Sequence, residues 1–514
     1  MAFIRKHVRK GKAYYSVVET FRIGNVVRQR ILHYLGSETE YSQFLKQSIN
    51  TDGFFSADLE NLLYQTPVSL WKLMEQMQLQ EIFRRHFSKE WGVDAATAAC
   101  VMILNYATDR RSKCRIDDWY SQTCLPNLLN VPAAKMNKDL LCRTMDFFTE
   151  ENIEKIHPEV FKTANEIYHF SDEYLFYDIT AVTFEGDNCS MAKKGYNPEA
   201  VDRLQVNIAL AATYERFPIM HKAFDGNVKD SKTFEKIMEL LKKTVHLDKI
   251  VFIFDRGITS RYNLDLIGRE GAKFICGVSK SKTIKDLMLP LGETDFSKID
   301  ENSSFFETAK DGQRVIVFRN LEMIETQMEE REKKIQRIEK KLDKLKKNSG
   351  RYAQERLREK IGELTRNHRK YFSISTDNGL TFGRNEKAID IAKKLDGKCA
   401  ITTNTSLAPA EVLKRYRDRN FIEMSFKDLK LFVDVRPIRH WKDQRVLAHV
   451  FLAVLALGLR SIVEMKIRRA GLQFTAEEAL LKLNKVRALV ANKKVLRLTG
   501  EDAETRRIVS IIAS

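Results

Sequence analysis

Cysteine is too sparse and too scattered in this sequence to serve as a framework. Seven occur, at 100, 114, 124, 142, 189, 276 and 399. The odd number and the lack of any CxxC pair exclude a disulfide scaffold and a cysteine-based zinc site, and suit a reducing interior. Nine prolines and 22 glycines in 514 residues exclude collagen-like and low-complexity chains. Long apolar runs are also missing. The longest, 446–459, contains His449 and meets Arg460, and at 14 residues it falls short of the ~20 needed to cross a bilayer. A buried helix is expected there, and no membrane partner. The basic N-terminal stretch MAFIRKHVRKGKAYY has no apolar stretch behind it, so the chain is expected to stay in the cytoplasm where it is made.

Charge, by contrast, is plentiful and one-sided. Lys and Arg number 87 against 69 Asp and Glu, a net of +18, which favours a polyanionic partner. Residues 1–50 hold nine Lys or Arg and three Glu, 9 − 3 = +6, and residues 466–514 hold eleven against five, 11 − 5 = +6. Phosphate contacts at both ends are expected. The length predicts two to four folded units.

Periodicity divides the chain further. Residues 1–65 carry β-rich runs such as AYYSVVETF around a turn at Gly24 and predict a small basic β-containing module. Residues 66–168 read as amphipathic helices, a helical domain for scaffold or DNA-end docking, although no helix-turn-helix pattern assigns a recognition helix. From 169 to 279 the period changes to strands at 174–180, 204–213, 217–224, 249–254 and 274–278, with a helix at 231–243. That is a mixed α/β sheet with carboxylates at strand positions. Between 321 and 345, Leu321, Met328, Ile335 and Leu342 occupy one heptad position, and Ile324, Arg331, Ile338 and Leu345 the other. Asn348–Gly350 interrupts the pattern and Leu357, Ile361 and Leu364 resume it. A helical hairpin over 321–369 is predicted, with pairing between chains as the alternative. Strand-like segments at 314–318 and 370–376 flank it, so 280–398 reads as a β-containing insertion. Residues 399–465 return to the core, and 466–514 are expected to form a basic helical region.

The strongest local pattern is YRDRNFIEMSFKDLK, in which Tyr416, Arg419, Glu423 and Lys430 are spaced Y-x2-R-x3-E-x6-K. On a single helix these four fall within roughly 60° of one face, beside an apolar stripe of Ile422, Phe426 and Leu429. A carboxylate flanked by a phenol and two cations suits a metal-bound phosphate; ordinary ion pairing along a charged helix is the plain alternative. Asp178 lies in an otherwise apolar strand, where a carboxylate needs a cation, a metal or a donor. Asp255 ends the KIVFIF strand before Arg256 and Gly257, where α/β sheets expose functional groups. Either Asp alone reads as a turn or cap residue. With Glu423 they make a hard-oxygen set adequate for paired divalent cations. His440 and Trp441 stand outside this set, with DNA stacking and partial burial both open. Arg445 and His449 read as packing or capping residues.

These motifs resemble the bacterial insertion-sequence DDE transposases that carry the Tyr-Arg-Glu-Lys signature and an RNase H-like catalytic core. The resemblance rests on YDIT with Asp178, FDRGITS with Asp255 and the segment with Glu423, supported by KKGYNPEAVDRLQVNIAL, GNVKD and DVRPIRHW. It spans about 170–465. It implies that Asp178, Asp255 and Glu423 bind two Mg²⁺ ions, with Mn²⁺ as a substitute, and that Arg419, Lys430 and Tyr416 contact DNA, Arg256 being a further candidate. It also implies an insertion between the second Asp and the Glu. The expected activity is cleavage and strand transfer at terminal inverted repeats, by a homodimer on double-stranded DNA in the bacterial cytoplasm, associated with the nucleoid when bound. An endonuclease without strand transfer and an inactive DNA-binding derivative are the alternatives.

Overall fold

The computed structural model describes the chain apart from residues 1, 10–11, 24–25, 43–59, 89–91, 172, 187, 196–202, 311, 378, 432 and 492. The predicted turn at Gly24 and the 196–202 part of the KKGYNPEAVDRLQ segment lie outside the described residues. Two compact units emerge, one formed by Met1–His246 with Phe421–Ser514 and the other by Leu247–Asn420.

The first unit begins with an antiparallel meander of β1 (Ala2–Arg9), β2 (Lys12–Ile23) and β3 (Val26–Ser37). Alternation along β2 and β3 turns Val17 and Leu35 inward, where they bury against Leu489. β4 (Glu60–Leu63) pairs antiparallel with Arg487–Ala491, which in turn pairs with Lys494–Thr499. The tail expected to be helical therefore contains a β-hairpin. The positive φ of Lys493 (63°) at the turn is hairpin chemistry. The two basic end segments of the sequence thus belong to one unit.

The predicted buried helix forms the centre of this unit, over Asp443–Arg469. It runs past the apolar stretch because Arg460 is buried with its partners in place, the Ala107 carbonyl at 3.0 Å and Glu477 at 2.6 Å. By length and composition it is apolar enough to cross a membrane, but 94% of its apolar window is buried inside the protein. Helices of the 66–168 region surround it. Phe148 meets Phe451 edge-on at 5.5 Å, and Tyr106 hydrogen-bonds His449 Nδ1 at 2.8 Å. His157 and His221 flank Phe451 in the same core.

Against this helical layer lie β5 (Tyr174–Thr183), β6 (Lys193–Lys194), β7 (Leu204–Ala212) and β8 (Pro218–Asp225). β7 is antiparallel to the other three, and it is buried along nearly its whole length, as its continuous apolar run requires. Helix Asp230–Leu241 follows.

The second unit is a mixed sheet. β9 (Val251–Phe254) and β10 (Lys273–Val278) are parallel because the helix Arg261–Arg269 crosses between them. β11 (Ser297–Lys298), β12 (Ser303–Lys310) and β13 (Gln313–Asn320) add antiparallel strands. β14 (Phe372–Ser375) and β15 (Thr381–Arg384) form a separate hairpin, and β16 (Lys398–Thr403) inserts between β13 and β10. The heptad segment is a helix over Leu321–Lys347, followed by Gln354–Thr365. Its seam is buried from Ile335 onward, where Ile335, Ile338, Leu342 and Leu345 pack on Leu357, Ile361 and Tyr371 of the same chain. Earlier heptad residues are more open, with Leu321 42% and Met328 43% exposed. Arg331, a cation in a seam position, is matched by Asp396 through two bonds of 2.7 and 2.5 Å.

Candidate active site

Asp178 sits in β5 directly opposite Leu210 of β7. Residues Tyr174–Tyr177 before it are buried, while Asp178 itself is half-buried. Strand alternation places Phe176 and Asp178 on one face and Tyr177 on the other. Tyr177 anchors that other face, hydrogen-bonding Thr233 at 2.8 Å and meeting Phe234 at 5.1 Å. Phe176 receives Phe421 edge-on at 6.0 Å, and Phe421 also meets Tyr214 at 4.9 Å. Phe421 belongs to the first turn of the helix Asn420–Leu431, so the helix that carries Glu423 is seated on the face of β5 that carries Asp178.

The same helix is held by its apolar stripe and by a buried ion cluster. Ile422, Phe426 and Leu429 are buried, as predicted, and Glu423 is exposed beside that stripe. Arg216 reaches Asp428 at 3.0 Å and also pairs with Glu464 of the central helix. Desolvation raises the Asp428 pKa above the usual carboxylate range, with Arg216 opposing the shift. Lys430 lies seven residues beyond Glu423, about 10 Å along the axis, and is half-buried.

Asp255 follows the fully buried strand β9. The chain turns there, with the Ile258 N–H donating to the Asp255 carbonyl at 3.2 Å. Arg419 Nη1 lies 2.6 Å from Asp255 Oδ1, Tyr416 Oη donates to the same oxygen at 3.3 Å, and Arg419 donates to Tyr416 Oη at 3.2 Å. The guanidinium also stands 5.2 Å from the Tyr416 ring centroid, within cation–π range. Burial pushes the Tyr416 phenol well above its ordinary pKa, so it stays protonated and able to donate. Arg256 is exposed beside this cluster in sequence.

One expectation is overturned. The four signature residues do not share a helix: Pro409–Arg417 is one helix, Asn420–Leu431 the next, and Asp418–Arg419 is a turn between them. The Arg419 N–H bonds back to the Tyr416 carbonyl at 3.2 Å, a three-residue closure that breaks the i→i−4 ladder. Tyr416 and Arg419 are thereby turned onto Asp255, while Glu423 and Lys430 keep their common helix.

Several supporting residues escaped the sequence reading. Gly277 of β10 has no side chain because a Cβ there would stand 2.2 Å from Tyr416 Oη, and Thr259 ties the Asp255 turn to the Gly277 carbonyl at 3.0 Å. Arg216, Asp428 and Phe421 are the others. A glycine inside an apolar strand was the one available signal, since it marks a close approach.

The three predicted carboxylates supply the oxygen donors that a hard divalent cation takes. Among the described residues, no group of three or more His, Cys, Asp and Glu side chains stands gathered as a metal cage. Asp255 already faces a cation, Arg419. No curated protein matches the chain. A family model described as the transposase DDE domain matches residues 170–459, a span that begins just before β5, ends within the central helix and takes in Asp178, Asp255, Tyr416, Arg419, Glu423 and Lys430. The chain belongs to the DDE-domain transposases.

Proposed function

We propose that this transposase recognises the terminal inverted repeats of a bacterial insertion sequence and carries out both strand cleavage and strand transfer there. The observation that carries the site assignment is the convergence of Arg419 and Tyr416 on Asp255, because it joins two signature residues to the second aspartate. In this reading the RNase H-like core comprises 169–279 and 399–465, interrupted by the insertion 280–398, with 1–65, 66–168 and 466–514 as flanking modules.

Asp178, Asp255 and Glu423 would hold a pair of Mg²⁺ ions, or Mn²⁺ in their place, which supply Lewis-acid activation of the attacking hydroxyl and stabilisation of the leaving oxygen. The residues of the chain then have separable tasks. Arg419 brings its positive charge to a phosphate while keeping Asp255 in place. Tyr416 orients both through its hydroxyl. Lys430 contributes a point charge two turns along the Glu423 helix, and Arg256 extends the phosphate contacts from the Asp255 turn. Cleavage and transfer are the same displacement at phosphorus with different attacking hydroxyls, so one site serves both. Paired ends call for a homodimer on DNA. The protein acts in the bacterial cytoplasm.

The test incubates purified protein with a labelled terminal-repeat duplex, a target plasmid and Mg²⁺, beside Asp178→Asn, Asp255→Asn and Glu423→Gln. End cleavage and a joined product are expected from the native chain and from none of the variants. Cleavage without joining would make it an endonuclease, and binding alone would make it a DNA-binding derivative. Variants that cut normally would remove the proposed site.

A further inference from the structure

A second basic site lies within the first unit, lined by none of the carboxylates or signature residues assigned to the candidate active site. A cleft of about 780 Å³ opens between the loop that follows helix Ala95–Thr108 and the segment that precedes the central helix. Arg110, Lys113, Lys138, Arg439 and Lys442 line it, and Trp441 stands at it 72% exposed.

The floor is rigid. Lys113 Nζ donates to Tyr106 Oη at 2.6 Å and sits 4.3 Å from that ring centroid. Tyr106 donates to His449 Nδ1 at 2.8 Å, and His449 Nε2 donates to the Val435 carbonyl at 2.9 Å. That chain of donors fixes the His449 tautomer and ties both walls to the core. Asn105 shapes the loop, accepting from the Arg111 N–H at 2.9 Å and donating to the Asp109 carbonyl at 2.8 Å. His440 packs on His449 at 5.3 Å, leaving its neighbour Trp441 outward.

The charge is unevenly matched. Arg110 pairs with Asp434, Arg439 with Glu185 and Arg445 with Asp146. Lys113, Lys138 and Lys442 make no ion pair among the described residues. Burial, with Arg110 adding to it, depresses the Lys113 pKa to about 7, as expected of an ammonium held without a carboxylate. An anion entering the cleft would relieve that strain. An exposed indole beside three such lysines matches a nucleic-acid strand, which presents phosphates and flat bases together. A base inside a duplex has both faces covered by its stacked neighbours, so the indole takes one that has left the stack.

We infer that this cleft binds a DNA strand carrying an unpaired nucleotide, its phosphates held by Lys113, Lys138 and Lys442 and one base stacked on Trp441. The inference rests on the chain acting on DNA and adds a subsite to that reading. Its occupant is a frayed or melted end rather than intact duplex.

The experiment uses the full chain carrying Asp178→Asn, in EDTA, with two duplexes of one sequence, one fully paired and one with mismatched terminal pairs. The mismatched duplex should bind more tightly and quench tryptophan fluorescence. Trp441→Ala should abolish the quench and weaken that binding by roughly fivefold to a hundredfold, the span measured for base–aromatic stacking. Lys138→Gln with Lys442→Gln, both exposed positions, should lower the slope of log K against log salt by about two. Lys113 is left unaltered because it supports Tyr106. Equal binding of the two duplexes, or an unchanged salt slope, would overturn the inference. Cleavage by the native chain is scored separately. A protein that cuts but shows none of these effects loses the cleft and keeps its activity, and one that shows them without cutting does the reverse.

Discussion

The Arg419 guanidinium stands 2.6 Å from the Asp255 carboxylate, and Tyr416 caps the same oxygen. A cation so placed competes with any divalent ion for the Asp255 carboxylate. Arg419→Gln should therefore bind Mn²⁺ more tightly, by roughly tenfold for one removed charge near a protein surface. It should also cleave more slowly, by roughly a hundredfold, for loss of a transition-state donor. Mn²⁺ titration and single-turnover cleavage measure the two effects. Weaker metal binding by the variant would mean that Arg419 organises Asp255 and does not compete at it.

Gly277 sets the position of the Tyr416 ring. A Cβ at 277 would meet Tyr416 Oη at 2.2 Å and Cζ at 3.1 Å, and an aromatic ring cannot bend away as a flexible chain does. Gly277→Ala should destabilise by about 1–3 kcal/mol, the usual cost of overpacking, and should impair cleavage through Tyr416. Tyr416→Phe removes the atom in closest conflict, so the double variant should be more stable than the two single effects predict. Urea denaturation of all four proteins checks this, and strict additivity would dismiss the contact.

Arg216 is the buried partner of both Asp428 and Glu464, whose side chains are 19% and 6% exposed. Arg216→Met leaves the part-buried Asp428 without its cation and Glu464 with Arg468 alone. Roughly 3–5 kcal/mol of stability should be lost, as when one member of a buried pair is removed. The urea midpoint measures it, and a loss below about 1 kcal/mol would place the pair among solvent-screened ones.

His157 and His221 form a pH-sensitive contact in the core. His157 Nε2 donates to the Pro218 carbonyl at 3.3 Å, which leaves its Nδ1 to accept from His221 at 3.0 Å. Neither ring has room for a second proton. Desolvation lowers the His157 pKa from 6.5 to about 4, and burial with the His157 neighbour holds His221 well below 6.5. Both folded values lie below the unfolded one, so the unfolded chain binds more protons as pH falls below 6.5, and stability falls with it. Between pH 6.5 and 5, mostly above the carboxylate range, His157 alone should remove roughly 1.5 kcal/mol. Replacing both by Gln should flatten that limb of the stability curve. An identical pH slope in the double variant would show that these histidines are not its source.

Much of this arrangement was legible because it follows from strong local patterns. YLFYDIT, KIVFIF and LQVNIALAAT are apolar runs of strand length, and each is a strand. The stripe of Ile422, Phe426 and Leu429 marks the buried side of its helix correctly. What stayed hidden depends on partners far away in the chain. No Pro or Gly marks the break at Asp418–Arg419, and the turn gains its reward from Asp255, more than 160 positions earlier. The Arg216 cluster joins residues 212 and 248 positions apart. RALVA is a run too short for periodicity to distinguish strand from helix, and its pairing with β4 decides the matter.

The central helix also determines how this protein fails. Asp443–Arg469 is shielded by chain from both ends of the sequence, among them residues 65–168 and the segment after Thr475. A fragment lacking either cover would display an apolar helix with a mean hydropathy of 2.2 over 18 residues, a signal that insertion machinery and proteases both read. Nonsense or frameshift products of this chain should therefore partition to membranes or aggregate instead of persisting as soluble competitors for DNA, and loss of an end silences the protein cleanly.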